Sequence, residues 1–240
     1  MSEAVLSLPD PASLLALWEE GGRQPPLERA LTLLSAAGPD RAEGARWDTG
    51  SRDVLLARLL EGFTGATAWG CAECAGCGAE LDVPVDVGAL ARLPVRAPDE
   101  VLRTVVDGVT VTYRLPNTLD MQASCVAGAE PAAVCAALLA RCTGDGGHGL
   151  PEGLAGAVEA AMGEASPAGA ISFAVSCPEC GTRSVVALDV AALLWAEVQQ
   201  RAVALLHEVH ALAAAYGWTE SDVLALSPVR RACYLELVGR

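Results

Sequence analysis

Apolar positions recur at helical spacing through the first third of the chain. In PDPASLLALWEEGG, Leu14, Leu15, Leu17 and Trp18 fall on one face, with Asp10-Pro11 as a start and Gly21-Gly22 as a stop. PPLERALTLLSAAGP follows, with Leu27, Ala30, Leu31, Leu33 and Leu34 apolar and Gly38-Pro39 at its end. A polar linker, Asp40 to Gly50, is broken only by Trp47. Ser51 is then the expected cap of a third helix, DVLLARLLEGF, which turns Leu55, Leu56, Leu59 and Leu60 to a core.

The period then changes from helix to strand. ELDVPVDV alternates Leu81, Val83, Val85 and Val87 with Asp82, Pro84 and Asp86, and Pro84 places that strand at an edge. Asp107-Gly108 is a hairpin signal inside VLRTVVDGVTVTYRL. A helix over PAAVCAALLARC, a flexible loop at 144–149 and a helix over LPEGLAGAVEAAM are expected next. ISFAVSC returns to a strand. One long amphipathic helix begins at Val190, and Gly217 is its C-terminal glycine. Thr219 with Asp222 forms a capping box, and Ser227-Pro228 opens the last helix. The predicted class is α+β. Helices occupy 1–66, a zinc-ribbon-like region with an inserted hairpin and helices occupies 67–190, and a helical tail occupies 191–240.

The cysteines give the middle region its chemistry. Nine are present. Cys74-Ala-Gly-Cys77-Gly78 and Cys177-Pro-Glu-Cys180-Gly181 are matching knuckles. In a zinc ribbon each such turn supplies two thiolates, and the glycine lets the backbone fold back toward sulfur. Four thiolates with no open position make a structural zinc site, so Cys74, Cys77, Cys177 and Cys180 are the expected ligands. Cys71 makes a second, overlapping CxxC with Cys74, but glycine and a strand follow Cys77. The separation of about a hundred residues is a weak objection, because loop-closure cost grows only logarithmically with length. A thioredoxin-like redox pair needs a helix after its first cysteine, and strands are expected instead. Cys125, Cys135, Cys142 and Cys233 stand alone and read as small buried hydrophobes.

Composition narrows the function. The chain of 240 residues is 52% hydrophobic and carries a net charge of −14. None of its sixteen basic side chains is lysine, as in proteins of GC-rich bacteria. An acidic chain is a poor ligand for nucleic acid or anionic membranes. No apolar run approaches the roughly 20 residues that span a bilayer, and no signal-peptide pattern opens the chain, so the bacterial cytoplasm is expected. His207 and His210 are three apart, not the four that a zinc-protease helix needs. No catalytic motif is evident, and no small-molecule substrate is implied.

The C-terminal third carries a resemblance. Trp195 and Glu197 on a helix are followed by Tyr216-Gly217-Trp218-Thr219-Glu220. Leu224 and Leu226 come next, then Arg230-Arg231 and Tyr234. Together with Arg114, Leu115, Pro116 and Asp120, and with the two distant cysteine knuckles, this order resembles the T-even phage baseplate hub assembly chaperone family. The resemblance covers roughly residues 50–240. It implies a non-enzymatic assembly factor or structural subunit of a contractile phage tail or bacterial contractile injection system. Its partners would be baseplate, hub or spike proteins. Trp218, Arg230, Arg231 and Tyr234 are residue types that anchor interfaces, although Trp218 and Tyr234 also suit packing of the tail on its own domain. Two rival readings remain. One is a zinc-ribbon adaptor for nucleic acid or another protein complex. The other is a zinc or thiol enzyme, with Cys71 as the candidate thiol.

Overall fold

A computed structural model of the chain describes residues 8–125, 128–143, 150 and 152–239. The loop expected at 144–149 lies outside them. The fold is α+β, as the periodicity predicts.

Helices α1 (Pro11–Gly21) and α2 (Pro26–Ser35) open the chain. Asp10 caps α1 by accepting from the Ala12 and Ser13 amides. The expected polar linker instead holds α3 (Arg41–Arg46). Asp40 caps it through the Glu43 amide, a signal that the charged run obscured. Helix α4 (Thr49–Thr64) starts earlier than expected. Asp48, not Ser51, is its cap and accepts from the Ser51 amide at 3.0 Å. The Ser51 hydroxyl accepts instead from the Arg96 amide at 2.9 Å.

Strands β1 (Thr67–Glu73) and β2 (Glu80–Asp86) form the first hairpin, with Trp69 opposite Pro84 and Glu73 opposite Glu80. A short helix, α5 (Val87–Ala91), ends β2 earlier than the alternation suggests, because the Asp86 carboxylate caps it. The inserted hairpin pairs β3 (Val101–Val106) with β4 (Val109–Arg114). Its turn has positive φ at both Asp107 (49°) and Gly108 (80°), as a two-residue primed turn requires. Helices α6 (Thr118–Ser124), α7 (Pro131–Cys142) and α8 (Glu152–Ala165) follow. Val111, Tyr113, Leu115, Leu139 and Val158 pack the inserted hairpin onto these helices as a second core.

The third hairpin pairs β5 (Ser172–Ser176) with β6 (Arg183–Ala187). Helix α9 (Val190–Tyr216) is the long helix expected, and Gly217 ends it at φ 71°. The two short helices α10 (Glu220–Leu224) and α11 (Pro228–Val238) fold back on it, capped by Thr219 and Ser227 as predicted.

One main core draws on all three segments of the sequence. Leu33, Leu34, Leu56 and Leu60 meet Ala68, Val85 and Val87 of the first hairpin region and Val190, Leu194 and Val198 of α9. Trp195 closes this core against α1, where a Cβ on Gly21 would lie 2.6 Å from its ring. Leu56 is fully enclosed. Leu56→Ala is therefore expected to lower stability by about 2–5 kcal/mol in denaturant unfolding; a loss near zero would place the core elsewhere.

Candidate metal centre and tail cluster

Each knuckle is a tight turn between two strands, and the two turns repeat each other bond for bond. The Gly78 amide donates to the Cys74 carbonyl at 2.9 Å, and Gly181 donates to Cys177 at 2.9 Å. The Cys74 amide donates to Ala79, and Cys177 to Thr182, each at 2.9 Å. Gly78 and Gly181 both sit at φ 73°, a left-handed value that explains the glycine in each motif. The turns meet closely, since a Cβ on Gly76 would lie 2.5 Å from Thr182 Oγ1.

This packing brings together the four predicted cysteines. Their sulfurs all lie within 4.8 Å of one another and could hold one metal ion. Across the two knuckles, Cys74 and Cys180 are 3.6 Å apart and Cys77 and Cys177 are 3.7 Å apart. Cys74 and Cys177 are buried, whereas Cys77 and Cys180 face solvent. Leu81, Ala79 and Val175 pack around the buried pair. Cys71 is not in the cluster. It lies exposed in β1, three residues before the turn begins.

The thiols do not ionise alike. The Thr182 hydroxyl, 3.2 Å from Cys180 Sγ, and the Thr182 amide draw the Cys180 thiol down to about 6. The Ala79 amide favours the Cys77 thiolate. Sharing of its proton with Cys180 and Cys177 outweighs that and pushes Cys77 up to about 12. Four thiolates at this spacing repel one another unless a cation sits among them.

The tail candidates divide. Tyr216 stacks on Trp218 with ring centres 4.8 Å apart, and Tyr234 meets both rings edge-on. Trp218 and Tyr234 pack beside Val209, Leu212 and Val223. Arg231 is buried, donates to Glu208 at 2.7 Å and also reaches the Leu226 carbonyl. Three of the four candidates thus hold the tail to α9, and Arg230 alone of them is exposed. Arg231→Ala is expected to loosen the tail by about 1–2 kcal/mol, while Arg230→Ala changes stability by less than about 0.5 kcal/mol. Equal effects in thermal unfolding would contradict this division.

Sequence reasoning missed a third cluster. Asp120 is only 1% exposed. It accepts from Arg114 through both oxygens, from Arg141 Nε at 3.0 Å and from the Asn117 amide at 3.1 Å. Burial opposes its ionisation, but the Arg114, Asn117 and Arg141 donors prevail and hold the carboxyl below the usual range. Arg114 and Asp120 stood out in the sequence only as part of the resemblance; neither their pairing nor the third member on α7 was foreseen.

Other expectations are corrected. Of the four lone cysteines only Cys142 is buried; Cys125, Cys135 and Cys233 lie on solvent-facing positions. Burial pushes the Cys142 thiol up to about 11, so it is not a nucleophile at neutral pH. His207 and His210 are both exposed on α9, outside the only metal-competent group found among the described residues. No described helix is long and apolar enough to cross a membrane.

Compared with known protein families, characterised proteins and solved structures, the chain finds no match.

Proposed function

We propose that this protein is a non-catalytic structural subunit or assembly factor of the baseplate or hub of a contractile tail or bacterial contractile injection system. In this reading a structural zinc ion staples its first and third hairpins. The observation that supports it is that the family-like residues are spent on internal packing and ion pairing at three places in the fold. Trp195 closes the main core, Tyr216, Trp218 and Tyr234 form one aromatic cluster, and Asp120 ties Arg114 to Arg141. Residues so placed specify a shape, and a shape is what an assembly component offers.

The choice of zinc follows from the donors. A tetrahedral zinc ion with bonds of about 2.3 Å holds its sulfurs about 3.8 Å apart, close to the 3.6 and 3.7 Å between the knuckles. An all-thiolate set suits zinc or an iron–sulfur centre, and two CxxC turns on hairpins are the zinc-ribbon arrangement. Four protein ligands leave no position for a substrate, so the ion contributes folding free energy rather than chemistry.

The protein, tagged and expressed at its native level in the bacterial cytoplasm, tests the reading. Soluble and sedimented fractions are analysed separately by mass spectrometry. Tail-tube, spike or wedge proteins co-purifying from the sedimented fraction make it a resident of the baseplate. The same partners in the soluble fraction alone make it an assembly factor. Partners of neither kind, or salt-sensitive binding to DNA, would overturn the reading in favour of an adaptor.

A further inference from the structure

Among the described residues the first and third hairpins are each two-stranded, so each leaves two strand edges without a sheet partner there. The backbone pattern says which groups those edges offer. The Cys74 amide bonds its opposite number Ala79, so the even-numbered residues of β1 sit in hydrogen-bonded pairs. Trp69 and Cys71 then point their own N–H and C=O groups away from β2. The Cys177–Thr182 and Leu188–Ile171 bonds set the same alternation in the third hairpin. Val185 and Ala187 of β6 therefore point their N–H and C=O groups away from β5.

The β1 edge and the end of the β6 edge face one cleft. A cavity of about 370 Å³ is lined by four consecutive residues of β1, Trp69 to Ala72, on one side, and on the other by Val186 and Ala187, the last two residues of β6, with Leu188 and Asp189 beyond its end. A surface formed by the pleat of a strand would show alternate residues; consecutive residues mean that the cavity meets the strand's edge. Val83, Phe173 and Leu193 give the cleft an apolar floor. Trp69 stands at its rim, 65% exposed.

The opposite gap is protected and this one is not. There, β2 presents Glu80, Asp82 and Pro84, and Pro178 closes the far side. By the same alternation the missing N–H of Pro84 falls on that outer edge. Charge and proline are the usual means of blocking strand addition. The β1 edge at Trp69–Ala72 has neither.

We propose that this cleft receives one extended strand of a partner protein, which hydrogen-bonds to β1 on one side and β6 on the other and so joins the two hairpins into a single sheet. The lining defines the strand's chemistry. Side chains turned inward meet the apolar floor. Those turned outward join the face that carries Trp69 together with Glu73, Glu80, Asp82 and Asp86. A strand alternating apolar residues with arginine or threonine matches both faces: an arginine pairs with Glu73 or lies over the Trp69 ring on the adjacent β1, the β2 carboxylates lie one strand farther on, and threonine suits the stretch beside Arg183 and Val185 of β6. The proposal is independent of the baseplate reading; it requires only that the knuckles be metal-loaded.

The test uses full-length, metal-loaded protein and a capped peptide of about seven residues alternating valine with arginine or threonine, followed by calorimetry and amide exchange. The expected result is saturable binding with slowed exchange at Trp69, Cys71, Val185 and Ala187. N-methylating the peptide along either edge should weaken binding at least tenfold, because both edges are used. Exchanging its arginines for glutamates should do the same, as should Trp69→Ala, which alters an exposed side chain and leaves the core intact. Three results would overturn the proposal: no binding with the metal content intact, sensitivity to N-methylation on one edge only, or a concentration-dependent dimer that protects these four amides without peptide, which would assign the cleft to a second copy of the chain.

Discussion

Replacing Cys177 with serine is expected to release the metal and unfold the third hairpin while the helical core persists. A two-stranded hairpin is marginal alone in water, so each knuckle needs something beyond its own ladder. The first hairpin is anchored at its base by buried Ala68 and Val85; the third is anchored there by the half-buried Phe173 and Leu188. Toward the turns, the shared packing shrinks to Cys74, Leu81, Cys177, Ala79 and Val175. Structural zinc contributes on the order of 10 kcal/mol in small zinc modules, where it is the folding energy itself. Here part of the fold stands without it, and the expected loss is at least about 3 kcal/mol. The measurement is amide exchange read by region: Val175 and Val186 become fast, and α4 and α9 stay protected. Cys71→Ser is the matched control. It lies outside the cluster and should keep its metal and change stability by less than about 0.5 kcal/mol. If Cys177→Ser left β5 and β6 protected, the metal would not be what holds the knuckles together.

The second large effect lies at Asp120. Asp120→Asn removes the charge but keeps the shape, leaving Arg114 and Arg141 facing a neutral amide. Breaking a buried ion pair from one side costs about 3–5 kcal/mol, because the remaining charge loses its compensation. The pH dependence has a definite sign. The Asp120 carboxyl is held below its unfolded value of 3.8, so its stabilising contribution is fully present above that value. It is lost as pH falls through the folded value. Wild type and Asp120→Asn should therefore differ most at neutral pH and converge in acid. The check is chemical denaturation of both proteins from pH 7 down to about 3. A difference below about 1 kcal/mol at neutral pH would mean that the cluster is only a surface feature.

These two clusters show what the chain discloses directly. The knuckles were readable because their glycines mark left-handed turns that few other residues tolerate, and spacing then locates the sulfurs. Asp107-Gly108, Gly217, the Thr219–Asp222 box and Ser227-Pro228 were readable for the same reason: each is a local conformational requirement met by one or two residue types. Signals that depend on tertiary partners were not readable. Helix α3 hid in a charged run because six residues show no periodicity. Ser51 was the expected cap of α4, but Asp48 serves the helix, and the Ser51 oxygen accepts instead from the Arg96 amide, distant in sequence. Cys142 and Cys135 occupy one apolar helix, yet Cys142 turns in beside Arg114 and is buried while Cys135 faces solvent. Arg231 and Arg230 are adjacent, yet the position of Glu208 one helix away turns Arg231 inward.

The division between a metal-closed scaffold and the surfaces it presents depends on the four sulfurs acting as one site. Metal analysis of protein purified without chelator, followed by cobalt substitution and absorption spectroscopy, tests this most directly. About one zinc per chain, exchangeable for cobalt with the intense visible bands of a tetrahedral four-thiolate ion, is the predicted result. Protein that folds with both hairpins protected and carries no metal, or cobalt bound with the weak spectrum of an oxygen-rich octahedral site, would contradict it.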